Sequence, residues 1–176
     1  GAFVGSFLNV CIYRVPRGES IVFPRSQCPQ CGENICWFDN IPILSYISLK
    51  GRCRSCQAPI SLQYPLVEIF TAVISMLLLR RFGPTLEYAG YFVFVAALIV
   101  VSGIDLAHRI VPDRISLPGI LAGLAFSFGT SRMTPLGSVI GIVSGGGSLL
   151  LVTLGYAGVV RLREMVRGKT HQEEVE

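Results

Sequence analysis

Residues 88–104 carry no charged side chain, and the run ends directly on Asp105. A stretch this long and this apolar either fills a core or crosses a bilayer. The rest of the chain favours the bilayer. Further apolar runs occupy roughly 66–79, 115–130 and 136–160, and the chain opens on another at 1–13. Only 15% of the residues are charged, against 51% hydrophobic, where a soluble domain carries about 25% charged residues. The expectation is an all-α polytopic membrane protein, a bundle of transmembrane helices. A span takes about 20 residues, so the runs 66–79 and 115–130 are expected to recruit flanking residues. Residues 1–13 are shorter still, begin without Met, and read as the back half of a first span. A signal-peptide core fits less well: no basic segment precedes it and no small-residue cleavage site follows before Arg14.

Four regions are expected: a remnant of a first transmembrane helix at 1–13, a polar insert at 14–65, a membrane region at 66–160, and a charged tail at 161–176. The basic residues set the orientation. Arg14, Arg17, Arg25, Lys50, Arg52, Arg54, Arg109, Arg114, Arg161, Arg163, Arg167 and Lys169 fall on one side of the membrane; only Arg80, Arg81 and Arg132 fall on the other. Twelve against three puts the insert, Asp105 and the tail in the cytoplasm. The net charge of +4 is scattered among loops, which argues for topology rather than nucleic-acid binding.

The insert holds two CxxC knuckles, Cys28-Pro29-Gln30-Cys31 and Cys53-Arg54-Ser55-Cys56, with 21 residues between them. Two such knuckles offer four thiolates to one tetrahedral metal ion. The insert therefore reads as a small cytoplasmic zinc ribbon, its Zn2+ structural because protein fills all four positions. Paired disulfides are the rival, disfavoured in a reducing cytoplasm. Gly32 suits a tight turn after the first knuckle. Cys11 reads as a small buried hydrophobe, and Cys36 takes no role. Residues 37–42, rich in aromatic and turn residues, suit either a partner surface or packing against the membrane face.

Three acids carry the chemical interest. Asp105 ends an apolar span, where an acid is costly unless paired, solvated or used. Asp113 follows eight residues later, beyond Pro112; with Glu68 it is a candidate supporting acid, and even a candidate partner for Asp105, but it suits better a helix cap or a pair with Arg109 or Arg114. Glu68 opens the second span and divides evenly between a solvated interface and the bundle interior. His108 is expected to be solvated. Gly119 and Gly123, and Gly137, Gly141 and Gly145, repeat at the four-residue spacing that lets helices approach closely. Gly145-Gly146-Gly147 lacks the following Lys and Ser or Thr of a phosphate loop.

Taken in order, Gly5-Ser6-Phe7-Leu8-Asn9-Val10, Tyr13-Arg14-Val15-Pro16, the double CxxC module, Tyr64-Pro65-Leu66-Val67-Glu68, and Asp105 with Pro112-Asp113 resemble the bacterial type IV prepilin peptidases, also called leader peptidase/N-methyltransferases. The resemblance covers the whole chain. It implies an aspartic endopeptidase of the bacterial inner membrane that cleaves the leader of type IV prepilins or type II secretion pseudopilins after a Gly. It further implies methylation of the new N-terminus, usually Phe, from S-adenosylmethionine. Asp105 matches the first catalytic Asp. The second belongs to a Gly-x-Gly-Asp motif that these residues lack, so the chain is expected to be an inactive fragment whose dyad is completed elsewhere. Two readings from other classes stand beside this one. A non-enzymatic zinc-ribbon membrane anchor uses the spans and the cysteines but needs no acid pair. A transporter is weaker, since only Asn9 and Glu68 place polar groups in the spans.

Overall fold

A computed structural model describes residues 1–130 and 134–173, with side-chain surroundings described as far as residue 157. Among the described residues the chain is helical, with no strand. The α-helices are α1 (Ala2–Arg14), α2 (Leu44–Ser48), α3 (Gln63–Phe82), α4 (Leu86–His108), α5 (Asp113–Ser127) and α6 (Pro135–Glu173). Two of them are long and apolar enough to cross a membrane: Leu86–His108, and Pro135–Ala157 within α6. α3 closes on Arg80 and Arg81 and contains Glu68. α5 has 15 residues, only about 22 Å of helix at 1.5 Å per residue.

Residues 1–121 form one compact unit and residues 122–176 a second. In the first, α1 packs on both α3 and α4. Leu8, Cys11 and Ile12 of α1 meet Val100 and Ile104 of α4, with Val67 and Ile115 packed alongside. Cys11 is the small buried hydrophobe its position suggests. α1 and α3 cross almost backbone to backbone: a Cβ at Gly5 would lie 2.7 Å from the Glu68 Cα, and one at Gly1 would lie 2.6 Å from the Ala72 Cα. The close approach thus falls on a Gly1/Gly5 pair. Within its own unit, a Cβ at Gly119, Gly123, Gly141 or Gly145 would meet no described atom within 4 Å.

Local signals explain the helix ends. Thr85 opens α4, its hydroxyl accepting the Tyr88 N–H, as an N-cap should. α4 runs past Asp105 to His108 and stops where Arg109 turns left-handed (φ 56°) and donates its N–H to the Asp105 carbonyl. Pro112 keeps the chain from resuming a helix before Asp113. In the second unit, α6 is one helix across the boundary drawn at residue 160 between span and tail.

The cysteine cluster and the carboxylates

The two knuckles are built alike. Cys28 N–H bonds the Glu33 carbonyl (2.9 Å), Gly32 N–H the Cys28 carbonyl (2.9 Å), and Ile35 N–H the Ser26 carbonyl (2.8 Å). Twenty-five positions on, Cys53 N–H bonds Ala58, Gln57 N–H bonds Cys53, and Ile60 N–H bonds Gly51, at 2.9, 3.0 and 2.7 Å. A single antiparallel bridge backs each turn, Gln27 with Asn34 and Arg52 with Pro59. The residue after each knuckle is left-handed: Gly32 at φ 72° and Gln57 at φ 60°. Gly32 fills the tight turn its residue type suggests. Gln57 holds the same conformation against its own Cβ. The sequence signal for this repeat was present in the matched pattern Cys-x-x-Cys-x-x-x-Ile, ending at Ile35 and Ile60, but went unused.

The turns bring the Sγ atoms of Cys28, Cys31, Cys53 and Cys56 within 4.8 Å of one another, with Cys28 and Cys56 at 3.8 Å. Four sulfurs about 2.3 Å from a tetrahedral zinc ion stand about 3.8 Å apart, whereas a disulfide closes to about 2.05 Å. The donor set and spacing therefore fit a tetrahedral, thiophilic ion. The N–H groups of Cys31 and then Gln30 point at the Cys28 sulfur and lower its pKa to about 7. The Glu33 N–H acts on Cys31 in the same sense, but burial and the neighbouring thiols of Cys56, Cys28 and Cys53 outweigh it and push Cys31 up to about 11. The cluster thus binds a metal only by shedding protons.

A clamp that sequence reasoning missed braces the cluster. Arg54, between Cys53 and Cys56, donates from Nε and Nη2 to both carboxylate oxygens of Asp39 (2.7 and 2.6 Å) and sits over the Phe38 ring. These bonds hold the Asp39 carboxyl below the usual carboxylate range. Nothing in the spacing of residues 39 and 54 announces the pair; it exists because the second knuckle folds over the 3-10 turn Trp37–Asn40. Cys36 is exposed at the start of that turn, and Trp37 stands 80% exposed.

Glu68 faces the protein. It is 7% exposed, and its Oε2 accepts the N–H of Ile43 at 2.8 Å, tying α3 to the start of α2. Asn9, 3% exposed, donates from Nδ2 to the Tyr64 carbonyl (3.0 Å), and its Oδ1 has no partner.

Asp105 and Asp113 are exposed, as is His108. Asp105 lies one turn before the end of α4 and Asp113 is the first residue of α5. Among the described residues no hydrogen bond or ion pair joins the two acids, nor Asp113 to Arg109 or Arg114. An apolar groove of about 560 Å³ between α3 and α4 reaches Ser102, Leu106 and Ala107, beside Asp105.

Two family profiles match the chain in tandem: the bacterial peptidase A24 N-terminal domain over residues 1–82, and the type IV leader peptidase family over residues 92–165. Among curated proteins it is similar to three that share the name prepilin leader peptidase/N-methyltransferase. The Myxococcus xanthus protein is 47% identical over 148 residues, covering 82% of this chain and 44% of the relative. The Klebsiella pneumoniae protein is 37% identical over 151 residues, covering 82% and 66%. The Neisseria gonorrhoeae protein is 37% identical over 194 aligned residues, covering 97% and 65%. The chain thus spans roughly half to two thirds of the length of these relatives. No solved structure matches it.

Proposed function

This chain belongs to the bacterial type IV leader peptidase family, and from that premise we propose that it is part of an inner-membrane aspartic endopeptidase that removes the leader of type IV prepilins or pseudopilins. The observation that carries the reading is the position of Asp105. It stands exposed at the end of a helix able to cross a membrane, on the side to which the basic residues assign the cytoplasm. A carboxylate there is within reach of both water and a cytoplasmic leader peptide.

Aspartic proteolysis takes two carboxyl groups, one ionised and one protonated. The ionised group removes a proton from water as the oxygen attacks the scissile carbonyl. The protonated one donates to the carbonyl oxygen, and the leaving amine collects a proton as the C–N bond breaks. Asp105 is one member. The Gly-x-Gly-Asp motif that supplies the second in the family has no counterpart in these 176 residues. The groove beside Asp105 offers an apolar lane for the segment flanking the cleavage point.

Cys28, Cys31, Cys53 and Cys56 would hold a structural zinc ion, which supplies folding energy to a ribbon with little core of its own. Methylation of the new N-terminus belongs to the same proposal through the relatives' name; no described cluster has features that assign the methyl donor, and no step is routed through it. Five spans, with the insert, Asp105 and the tail in the cytoplasm, complete the reading.

In the intact protein, Asp105→Asn should abolish release of the leader from a prepilin while zinc content stays unchanged. Cleavage at the normal rate would reject the assignment. The non-catalytic anchor draws its support from Trp37, whose 80% exposure suits a ribbon that docks a partner; it predicts that no leader is cleaved at all.

A further inference from the structure

Helix α2 is pinned at one height on α3. Ile43, the N-cap of α2, donates its N–H to Glu68 Oε2 at 2.8 Å. To do so this β-branched residue adopts φ 67°, a conformation such residues avoid. Glu68 lies five positions beyond Gln63, the first residue of α3, about 7.5 Å along the helix axis. α2 therefore begins beside the first two turns of α3, level with the exposed apolar side chains of Leu66 and Ile69. Where α3 is a membrane span, those side chains mark its entry into the bilayer, and α2 lies at the bilayer surface.

The outward face of α2 suits that place. Leu44 and Ile47 are three positions apart, so they share a face, and they are 65% and 66% exposed. The helix cannot roll to bury them, because its other side is engaged. The Ser45 hydroxyl donates to the Ile41 carbonyl, and the Tyr46 hydroxyl to the Ile60 carbonyl at 3.4 Å. The Tyr46 ring lies so close over Gly51 that a Cβ there would stand 2.8 Å from the Tyr46 oxygen. Lys50 and Arg52 follow α2 directly and are exposed. No acidic residue stands between Asp39 and Glu68, and among the described residues neither base forms an ion pair. An apolar face followed by free basic side chains matches the cytoplasmic leaflet, which is apolar within and anionic at its surface. A soluble partner would reach the same face only through the headgroup layer.

We propose that α2 is an interfacial helix, with Leu44 and Ile47 in the acyl boundary of the cytoplasmic leaflet and Lys50 and Arg52 against acidic headgroups. The ribbon thereby gains a lipid contact of its own, in addition to its chain connections to α1 and α3. That contact rests on the membrane spans proposed above, not on the peptidase activity.

The test is tryptophan fluorescence on the intact protein in vesicles of phosphatidylcholine and phosphatidylglycerol. Trp37→Phe supplies the parent, and Ile47→Trp in that parent reports on α2 by difference. Lipids brominated high on the acyl chain should remove at least about half of the Ile47→Trp emission, the depth expected of an interfacial helix. Adding Lys50→Glu and Arg52→Glu should cut that quenching at least about twofold; unchanged quenching overturns the headgroup contact. Leu44→Trp, on the same face, repeats the measurement should Ile47→Trp not fold. Phe94→Trp, exposed on α4, reports on the spans separately and should be quenched by lipids brominated deeper on the chain. Quenching of Phe94→Trp with none of Ile47→Trp, the latter open to acrylamide in water, overturns the proposal, leaves the spans intact and frees the face for a soluble partner. Quenching of neither overturns both. Quenching of Ile47→Trp alone upholds the lipid contact and refutes the spans.

Discussion

Replacing Gly5 with Ala should be among the most damaging small changes available to the first unit. The added Cβ would lie 2.7 Å from the Glu68 Cα, 3.1 Å from the Val67 carbonyl oxygen and 3.2 Å from the Thr71 Cβ. Carbon atoms rest about 3.5–4.0 Å apart, and the nearest obstacle is backbone, which has no rotamer to change. α1 and α3 must therefore separate locally by about 1 Å, enough to forfeit up to half of each dispersion contact along the crossing. The same movement would stretch the bonds from Asn9 to Tyr64 and from Ile43 to Glu68, now 3.0 and 2.8 Å, toward lengths at which they no longer count as hydrogen bonds. Overpacking of this kind costs about 1–3 kcal/mol, and each loosened bond about 1 kcal/mol more. We expect a total loss of about 3–5 kcal/mol. Thermal unfolding in detergent checks it, with Gly119→Ala as control: open space surrounds that position, so its stability should change by no more than about 1 kcal/mol. Gly5→Ala matching the control would refute the α1–α3 crossing described here.

Other expectations follow from the ribbon. Gln57→Gly relieves a left-handed residue worth about 1–2 kcal/mol against about 0.5–1 kcal/mol of added unfolded-state entropy, so the ribbon's melting temperature should hold or rise, whereas Gly32→Ala should lower it. Cys28→Ser should release the metal and leave the insert protease-sensitive; unchanged zinc by elemental analysis would count against the four-cysteine site. Asp39→Asn probes the clamp by pH. The folded pKa of Asp39 lies below its ordinary 3.8, so the clamp's stabilisation is present above that value and fades as the pH falls through the lower, folded one. The melting difference between the two proteins should be constant near neutrality and shrink below about pH 4.

The parts of this fold that sequence revealed are those fixed by local chemistry. The knuckle spacing is legible because a tetrahedral site needs paired thiols, and Gly32 because a left-handed turn favours glycine. α4 is legible because an uncharged run with Thr85 before it and Pro112 after it has little other choice. What escaped depends on which surfaces meet. The Gly1/Gly5 pair was passed over because nothing in residues 1–13 hints that their small residues face α3, while Gly119, also at a four-residue glycine spacing, meets no described atom within its own unit. Glu68 could not be assigned to solvent or interior, since its fate hangs on Ile43, 25 positions earlier. Gln57 broke the glycine rule because the backbone bonds of the second knuckle impose the turn on whatever residue stands there.

The central claim is that Asp105 acts on a peptide bond. The most direct measurement is leader release from a purified prepilin by the intact protein, comparing unaltered enzyme, Asp105→Asn and Asp113→Asn, with zinc content determined on each. The account predicts full zinc in all three, cleavage by the unaltered protein and by Asp113→Asn, and no product from Asp105→Asn. Cleavage by an Asp105→Asn protein at the unaltered rate would contradict it.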